Sequence, residues 1–241
     1  MISRKERFEE ILTSTTRDEV LSVGIEWNKP KLLEKWIRSN APAEGTSILN
    51  LLPRTIDRNY LLSLVNEPEL LMASLVWGYG NNTLFYGNIV SAFSNGIAVS
   101  ETTDTSKIST VIHDVSNYLA TNDISSAFKC FYRQNGERNF EPGEGKSFIK
   151  GMNTAFVTKI IYVLGQQKEC SIQPLIYDKR VARTISELLP NAGYPLDPSG
   201  LLVAQYEEYC RWANEVEIDG LKIDPTVVEF ALFIAGKKTL K

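Results

Sequence analysis

Few residue types in this 241-residue sequence could carry out catalysis. It contains one histidine, His113, so a metal site or proton relay that needs several histidines is excluded. The three cysteines, Cys130, Cys170 and Cys210, lie far apart and lack the close spacing of zinc or iron–sulfur ligands. We interpret them as buried or incidental thiols and expect no metal and no cofactor. Catalysis must then rest on Lys, Asp, Glu, Ser, Tyr or Cys.

Positive charge is concentrated in one stretch of the chain, residues 146–183. This stretch holds seven basic and two acidic residues, a local charge of +5 in a chain whose net charge is −3. A localised basic patch on an acidic protein is typical of a surface that binds one anionic ligand. A solvated charged surface would account for the same pattern, so charge alone leaves both interpretations open.

Residues 146–165 predict two short helices joined by a tight turn. An apolar face around Ile149 marks the first helix, which would stop at residues 151–153. The second helix would open at Thr158, with Lys159 in its first turn. Two helices joined in this way form a helix-hairpin-helix. Its turn exposes backbone N–H groups beside a helix N-terminus, an anion site suited to a DNA phosphate.

The lysine in this segment belongs to a longer pattern. Val-Thr-Lys-Ile at residues 157–160 is followed, nineteen residues after Lys159, by Asp178 at the end of Pro-Leu-Ile-Tyr-Asp. This pattern resembles the 8-oxoguanine DNA glycosylase branch of the helix-hairpin-helix superfamily. Three elements typical of bacterial members are matched by Trp-Gly-Tyr-Gly at 77–80, Tyr-Asp-Lys-Arg-Val-Ala at 177–182 and the C-terminal helix at 228–233. The resemblance runs from about residue 70 to the C-terminus, and residues 1–65 do not contribute.

The resemblance implies that Lys159 and Asp178 are the catalytic pair. Breaking the bond between a base and its sugar leaves an electron-poor sugar, which the Asp178 carboxylate would stabilise. The neutral amine of Lys159 would attack the sugar carbon and form an imine that permits strand cleavage, so abasic-site lyase activity is expected too. Each residue also has a simpler interpretation. Asp178 precedes a predicted helix and would serve as its N-cap, and Lys159 alone would be a surface lysine.

Further residues are expected to bind the DNA and the extruded base. A base cannot be excised while stacked, and it would enter a pocket lined by Trp77 and Tyr79, although Trp77 also suits the core. The residues expected to contact DNA are Lys150, Asn153, Thr154, Thr158, Arg180 and Arg183. The predicted partner is double-stranded DNA with a flipped base. The sequence leaves open whether that base is 8-oxoguanine or a phage-type modified base.

The hairpin departs from the family pattern at one point. Family members usually carry Gly-x-Gly ahead of the Thr-Lys pair, whereas this chain has Ala155, Phe156 and Val157. Cβ atoms there restrict positive φ and close approach of the backbone to a phosphate. The departure leaves a non-catalytic DNA-binding helix-hairpin-helix protein as an alternative. A third possibility is an interaction protein with an acidic N-terminal half, which would show no DNA affinity even at low salt.

Helices must position these residues, because helical periodicity dominates the sequence. Apolar residues recur at helical spacing in residues 68–77, 104–120, 122–133, 178–189, 199–216 and 226–236. Residues 172–177 contain a proline and are predicted to form an extended connector. We predict an all-α protein of about ten to twelve helices. The resemblance implies the helix-hairpin-helix DNA glycosylase fold, with two helical layers or subdomains around a central cleft.

The division of the chain follows from the same pattern. Residues 66–241 are predicted to form the glycosylase-like domain, with a turn at 141–145 between layers, and residues 1–65 an unassigned helical region. No apolar run approaches the roughly 18 residues that a membrane-spanning helix needs. The first ten residues are rich in charge and do not resemble a signal peptide. A cytoplasmic monomer that does not bind membranes is therefore expected.

Overall fold

The computed structural model describes residues 3–100, 104–134, 137–138 and 146–237. Within these residues it has thirteen α-helices and only short strands, so the predicted all-α class is confirmed. The helices are α1 (Arg4–Ser14), α2 (Arg17–Ser22), α3 (Lys29–Arg38), α4 (Ala43–Leu51), α5 (Arg58–Ser63), α6 (Glu67–Tyr79), α7 (Tyr86–Ile97), α8 (Lys107–Ala120), α9 (Ile124–Lys129), α10 (Thr154–Gln167), α11 (Lys179–Leu188), α12 (Val203–Asn214) and α13 (Pro225–Ala235). None of these described helices combines the length and the apolar composition needed to cross a membrane.

Short strands and 3-10 turns connect the helices. The strands are β1 (Ile25–Glu26), β2 (Thr55–Ile56), β3 (Tyr132–Gln134), β4 (Glu137–Arg138), β5 (Lys146–Ser147), β6 (Glu217–Ile218) and β7 (Leu221–Lys222). β1 pairs with β2, β3 lies between β4 and β5, and β6 pairs with β7, all antiparallel. The 3-10 helices are Thr83–Phe85, Pro190–Ala192 and Pro198–Gly200. Strands this short hold neighbouring loops together and do not form a separate sheet layer.

The six helices that periodicity predicts are all present, as α6, α8, α9, α11, α12 and α13. The prediction that one helix extends to residue 133 is wrong, because α9 ends at Lys129 and the chain then enters β3. The connector at residues 172–177 has neither helix nor strand, as predicted. The turn predicted at 141–145 lies outside the described residues.

The predicted hairpin is wrong in two respects. Residues 146–147 form β5, residues 148–149 a bend and residues 150–151 a turn, so the first helix of the hairpin is not formed. The second helix begins at Thr154 instead of Thr158, because the Asn153 side chain caps it by accepting the N–H of Phe156. Lys159 therefore lies in the second turn of α10. The chain reaches this cap through Gly151, whose φ of +95° favours glycine.

Helix α10 forms the centre of the fold. Eleven of its residues are buried, and it packs against α5, α6, α8 and α9. A helix that is apolar around most of its circumference requires neighbours on every side. Polar side chains on its inward faces therefore have to find partners within the protein.

The first 65 residues pack directly on the helices that follow. α1 contacts α11 and α13, and α2 contacts α5 and α13. Phe8 of α1 is buried, and its ring stacks on that of Trp212 with centroids 6.4 Å apart. α4 packs on α6 and α5 packs on α10. The predicted division at residue 65 stays a prediction, but the N-terminal helices share one core with the rest.

Candidate active site

One cavity of about 360 Å³ brings together the four residues predicted for catalysis and base binding. Lys159, Asp178, Trp77 and Tyr79 all line it. They come from three places in the sequence: the C-terminal end of α6, the second turn of α10 and the residue that precedes α11. The packing of these helices therefore converts separated sequence motifs into one concave site.

The Lys159 side chain is buried and lies over aromatic rings. Its Nζ donates to the carbonyl oxygen of Ala155 at 3.2 Å and lies 5.6 Å from the ring centroid of Trp77 and 5.2 Å from that of Phe156. Burial lowers the pKa of Lys159, and the carboxylates of Asp178 and Glu229 partly oppose that shift. The environment therefore favours the neutral amine more than a surface position would.

Asp178 serves as the N-cap of α11 while facing the cavity. Its Oδ1 accepts the backbone N–H groups of Arg180, at 2.8 Å, and Val181, at 3.0 Å. The hydrogen bond of the Lys159 amine goes instead to the Ala155 carbonyl oxygen. The capping hydrogen bonds hold the carboxylate in a fixed orientation, and the amine stays separate from it.

A buried hydroxyl connects the helix of Lys159 to the segment before Asp178. Thr158 Oγ1 donates to the carbonyl oxygen of Thr154 and accepts the backbone N–H of Tyr177, both at 3.0 Å. Since Thr158 precedes Lys159 and Tyr177 precedes Asp178, this hydrogen bond joins the two chain segments that carry the predicted catalytic pair.

Thr154 and Thr158, which are predicted to contact DNA, both have buried side chains. Thr158 is fully buried and Thr154 is 3% exposed. The Thr154 hydroxyl lies 3.1 Å from that of Tyr132, inside the protein. Both threonines lie on the inward side of a helix that starts four residues earlier than the sequence indicates, which is why they face the core.

The other residues predicted to contact DNA remain accessible to different degrees. Lys150 and Asn153 are exposed at the turn before α10. Arg180 is exposed, lines the cavity and places its guanidinium 4.6 Å from the ring centroid of Phe233. Arg183 is half-buried. Their contacts with DNA stay a prediction.

The Trp77–Tyr79 segment gives the cavity its aromatic wall. The Tyr79 ring packs against Phe156, with centroids 4.6 Å apart, and stacks on Phe85 at 5.6 Å. Gly78 faces Phe156 so closely that an added Cβ would lie 2.3 Å from a ring carbon, so only glycine fits there. Among the described residues, the buried indole N–H of Trp77 has no hydrogen-bond partner.

A buried ion pair that was not predicted lies at the same cavity. Arg58 Nη2 donates to Glu229 Oε2 at 2.5 Å, and the two side chains are 5% and 1% exposed. Burial raises the pKa of Glu229 to about 7, against the opposing effect of the Arg58 guanidinium. The Arg58 guanidinium lies 5.6 Å from the Trp77 ring centroid. In the described part of the chain its buried Nη1 has no hydrogen-bond partner.

One sequence signal could have pointed to this pair. Glu229 is the lone charged residue in the otherwise apolar run at residues 227–235, and such an acid requires a partner if that helix is buried. Its partner, Arg58, lies 171 positions away in the region that had no assigned role. Among the described residues no cluster of three or more His, Cys, Asp or Glu side chains could hold a metal ion.

The fold and the cavity define an all-α protein in which a buried amine and a rigid carboxylate face one aromatic-lined site. The family model described as "Putative 8-oxoguanine DNA glycosylase OGG-like protein" matches residues 18–233, and the chain belongs to this family. The match begins well before residue 70, so it includes Arg58 as well as Lys159 and Asp178. No curated protein and no solved structure matches the chain.

Proposed function

We propose that this protein excises a modified base from double-stranded DNA, with Lys159 as the nucleophile and Asp178 as the stabilising carboxylate, and that it also cleaves abasic sites. The observation that supports this most directly is that both side chains line one cavity with an aromatic wall. Membership of the glycosylase family supplies the reaction class.

The substrate base has to leave the duplex before it can react. Extrusion costs a few kcal/mol, which contacts in the pocket repay. In our proposal Trp77 and Tyr79 stack against the extruded base. The unpartnered donors of Arg58 and Trp77 favour a base with carbonyl or ring-nitrogen acceptors. 8-Oxoguanine carries such acceptors, and a phage-type modified base is the second substrate class to be tested.

The chemical step uses the neutral amine of Lys159. Its nitrogen lone pair bonds to the C1′ carbon of the sugar, while the bond from C1′ to the base breaks and its electron pair leaves with the base. The negative charge of Asp178 stabilises the positive charge that develops on the sugar. The C1′–O4′ bond then breaks and its electron pair goes to O4′, while one proton of the nitrogen passes to O4′ and the other to the released base, so a C=N double bond forms. This imine makes the 2′ proton acidic, so elimination of the 3′ phosphate can follow.

Borohydride trapping tests this proposal, because reduction of the imine leaves the protein covalently bound to DNA. Duplexes carrying 8-oxoguanine, a glycosylated cytosine or an abasic site serve as substrates. We expect wild type and Lys168→Gln, which removes an exposed lysine at the C-terminal end of α10, to cross-link. Lys159→Gln should give no cross-link with any of them.

Three outcomes would count against the proposal. Cross-linking by Lys159→Gln would assign the nucleophile to another residue, and base release without cross-linking would remove the lyase step. Binding to duplex DNA without release of any base would favour the non-catalytic DNA-binding alternative. Mass spectrometry of bases released from oxidised DNA and from modified phage DNA identifies the substrate.

A further inference from the structure

A second depression lies beside the cavity and is lined by basic side chains. It has a volume of about 260 Å³ and lies between α3 and the turn that leads into α7. We call it the α3 groove, and its walls are Lys31, Glu34, Lys35, Arg38, Thr83 and Tyr86. Its four charged residues belong to the N-terminal region, to which the sequence resemblance assigned no role.

Helix α3 presents its charged residues on one face because of their spacing. Lys31, Lys35 and Arg38 are separated by four and three positions, which places them on the same side of an α-helix. The opposite side is anchored in the core by Leu32 and Trp36, which are 0% and 1% exposed. The basic face is therefore held rigidly toward solvent.

The α3 groove carries a net positive charge. Arg38 forms an ion pair with Glu34 at 2.5 Å, so these two charges largely compensate each other. Neither Lys31 nor Lys35 forms an ion pair with any described residue. The described lining of the groove holds three basic side chains and one carboxylate, and this excess of positive charge favours an anionic ligand.

One hydroxyl group connects the α3 groove to the wall of the cavity. Tyr86, which lines the groove, donates its O–H to the carbonyl oxygen of Gly80, at 3.1 Å, and accepts the N–H of Asn28, at 2.9 Å. Gly80 lines the cavity, and Asn28 caps the start of α3. The groove and the cavity therefore lie on either side of a single turn.

We propose that the α3 groove binds the sugar–phosphate backbone of the DNA next to the extruded nucleotide, with Lys31 and Lys35 contacting phosphates. This inference rests on the proposed function. Phosphate contacts position a protein on a duplex without reading its sequence, and lysine serves this purpose as a flexible point charge. The N-terminal region thereby takes part in substrate binding.

Salt dependence of DNA binding tests the proposal. The probe is a duplex with a stable abasic-site analogue, whose binding does not depend on which base is excised. The variant is Lys31→Gln with Lys35→Gln, and the matched control is Lys5→Gln with Lys222→Gln, two exposed lysines on other elements. Two lost phosphate contacts should weaken binding about tenfold and make the slope of log K against log salt shallower by about 2.

The control should retain the wild-type affinity and slope. On an abasic-site duplex, the Lys31/Lys35 variant should need about tenfold more DNA than wild type to reach half of its maximal Lys159 cross-linking. An unchanged affinity and slope, with cross-linking intact, would overturn the α3 groove proposal alone. Failure of wild type to bind the probe at low salt would instead overturn the proposed function, and this inference with it.

Discussion

Asp178 caps a helix and, in the proposed function, also stabilises positive charge on the substrate. Its Oδ1 accepts two backbone N–H groups at the start of α11, and the residue also lines the cavity beside Lys159. A capping carboxylate loses little further entropy when it acts on a substrate, because the helix already holds it in place. Capping and charge stabilisation can be separated by substitution.

Asp178→Asn should keep the cap and lose the charge, because Asn caps helices about as well as Asp. We expect base release to fall by about 10²–10³-fold while the denaturant midpoint changes little. Asp178→Ala should in addition lower the free energy of unfolding by about 1 kcal/mol. Single-turnover kinetics and urea titrations measure the two effects. Wild-type activity in the Asn variant would leave Asp178 as a cap alone.

Glu229 should control the pH at which the Lys159 amine becomes active. Its carboxylate opposes the lowering of the Lys159 pKa that burial causes. In Glu229→Gln this opposition is lost and the positive charge of Arg58 is uncompensated, and both changes lower the pKa of Lys159 further. The acidic limb of the pH–rate profile should therefore move to lower pH. The Gln side chain can still accept the hydrogen bond of Arg58, which supports folding.

The control for this prediction is Glu217→Gln, which removes an exposed carboxylate on β6 and should leave the profile unchanged. Thermal unfolding of both variants checks that the fold is intact. A profile of Glu229→Gln that overlays wild type, or moves to higher pH, would contradict an electrostatic effect of Glu229 on the amine.

At the scale of elements, the hydrogen bond between Thr158 and Tyr177 joins α10 to the connector before α11. Thr158→Val keeps the shape of the side chain but leaves the buried N–H of Tyr177 without a partner. The free energy of unfolding should fall by about 1–3 kcal/mol, and cross-linking should slow because Asp178 and Lys159 lose their fixed spacing. Thr158→Ser keeps the hydroxyl and should recover most of the activity.

Urea unfolding and the rate of cross-linking provide the two measurements for the Thr158 variants. If Val and Ser variants are equally active, the hydroxyl does not position the site. If Thr158→Val is destabilised but cross-links at the wild-type rate, the bond contributes to stability alone.

At the scale of the whole molecule, α1 lies before the region that the family model matches. It nevertheless packs on α13, which carries Glu229, and on α11, which follows Asp178. Phe8 is its main anchor, 6% exposed and stacked on Trp212. Phe8→Ala should lower the free energy of unfolding by about 3–5 kcal/mol. Leu196→Ala, at a position that is 62% exposed, should change it by less than about 0.5 kcal/mol.

Urea titration measures both of these substitutions. If Phe8→Ala is as stable as wild type, the packing of Phe8 does not contribute to the free energy of unfolding, and the core does not depend on α1.

Much of the architecture follows from short-range patterns in the sequence. The apolar spacing in α8 and α11 predicts these helices, and the proline in residues 172–177 predicts the break between α10 and α11. Helical periodicity and proline geometry act over a few residues, so they can be read along the chain. The family resemblance around Lys159 and Asp178 adds a candidate pair, and both members lie at one cavity.

Other features depend on which elements pack together, and no local pattern encodes them. Arg58 and Glu229 are 171 positions apart, and the packing of the chain buries both side chains, so each charge needs the other as its partner. The polar side chain of Thr158 would also suit the protein surface. However, the Asn153 cap starts α10 at Thr154, and the surrounding helices bury Thr158. The α3 groove likewise arises where α3 meets the turn before α7. Whether a side chain is buried, and which residues it contacts, depends on residues that are distant in sequence. The packing of the whole chain brings these residues together.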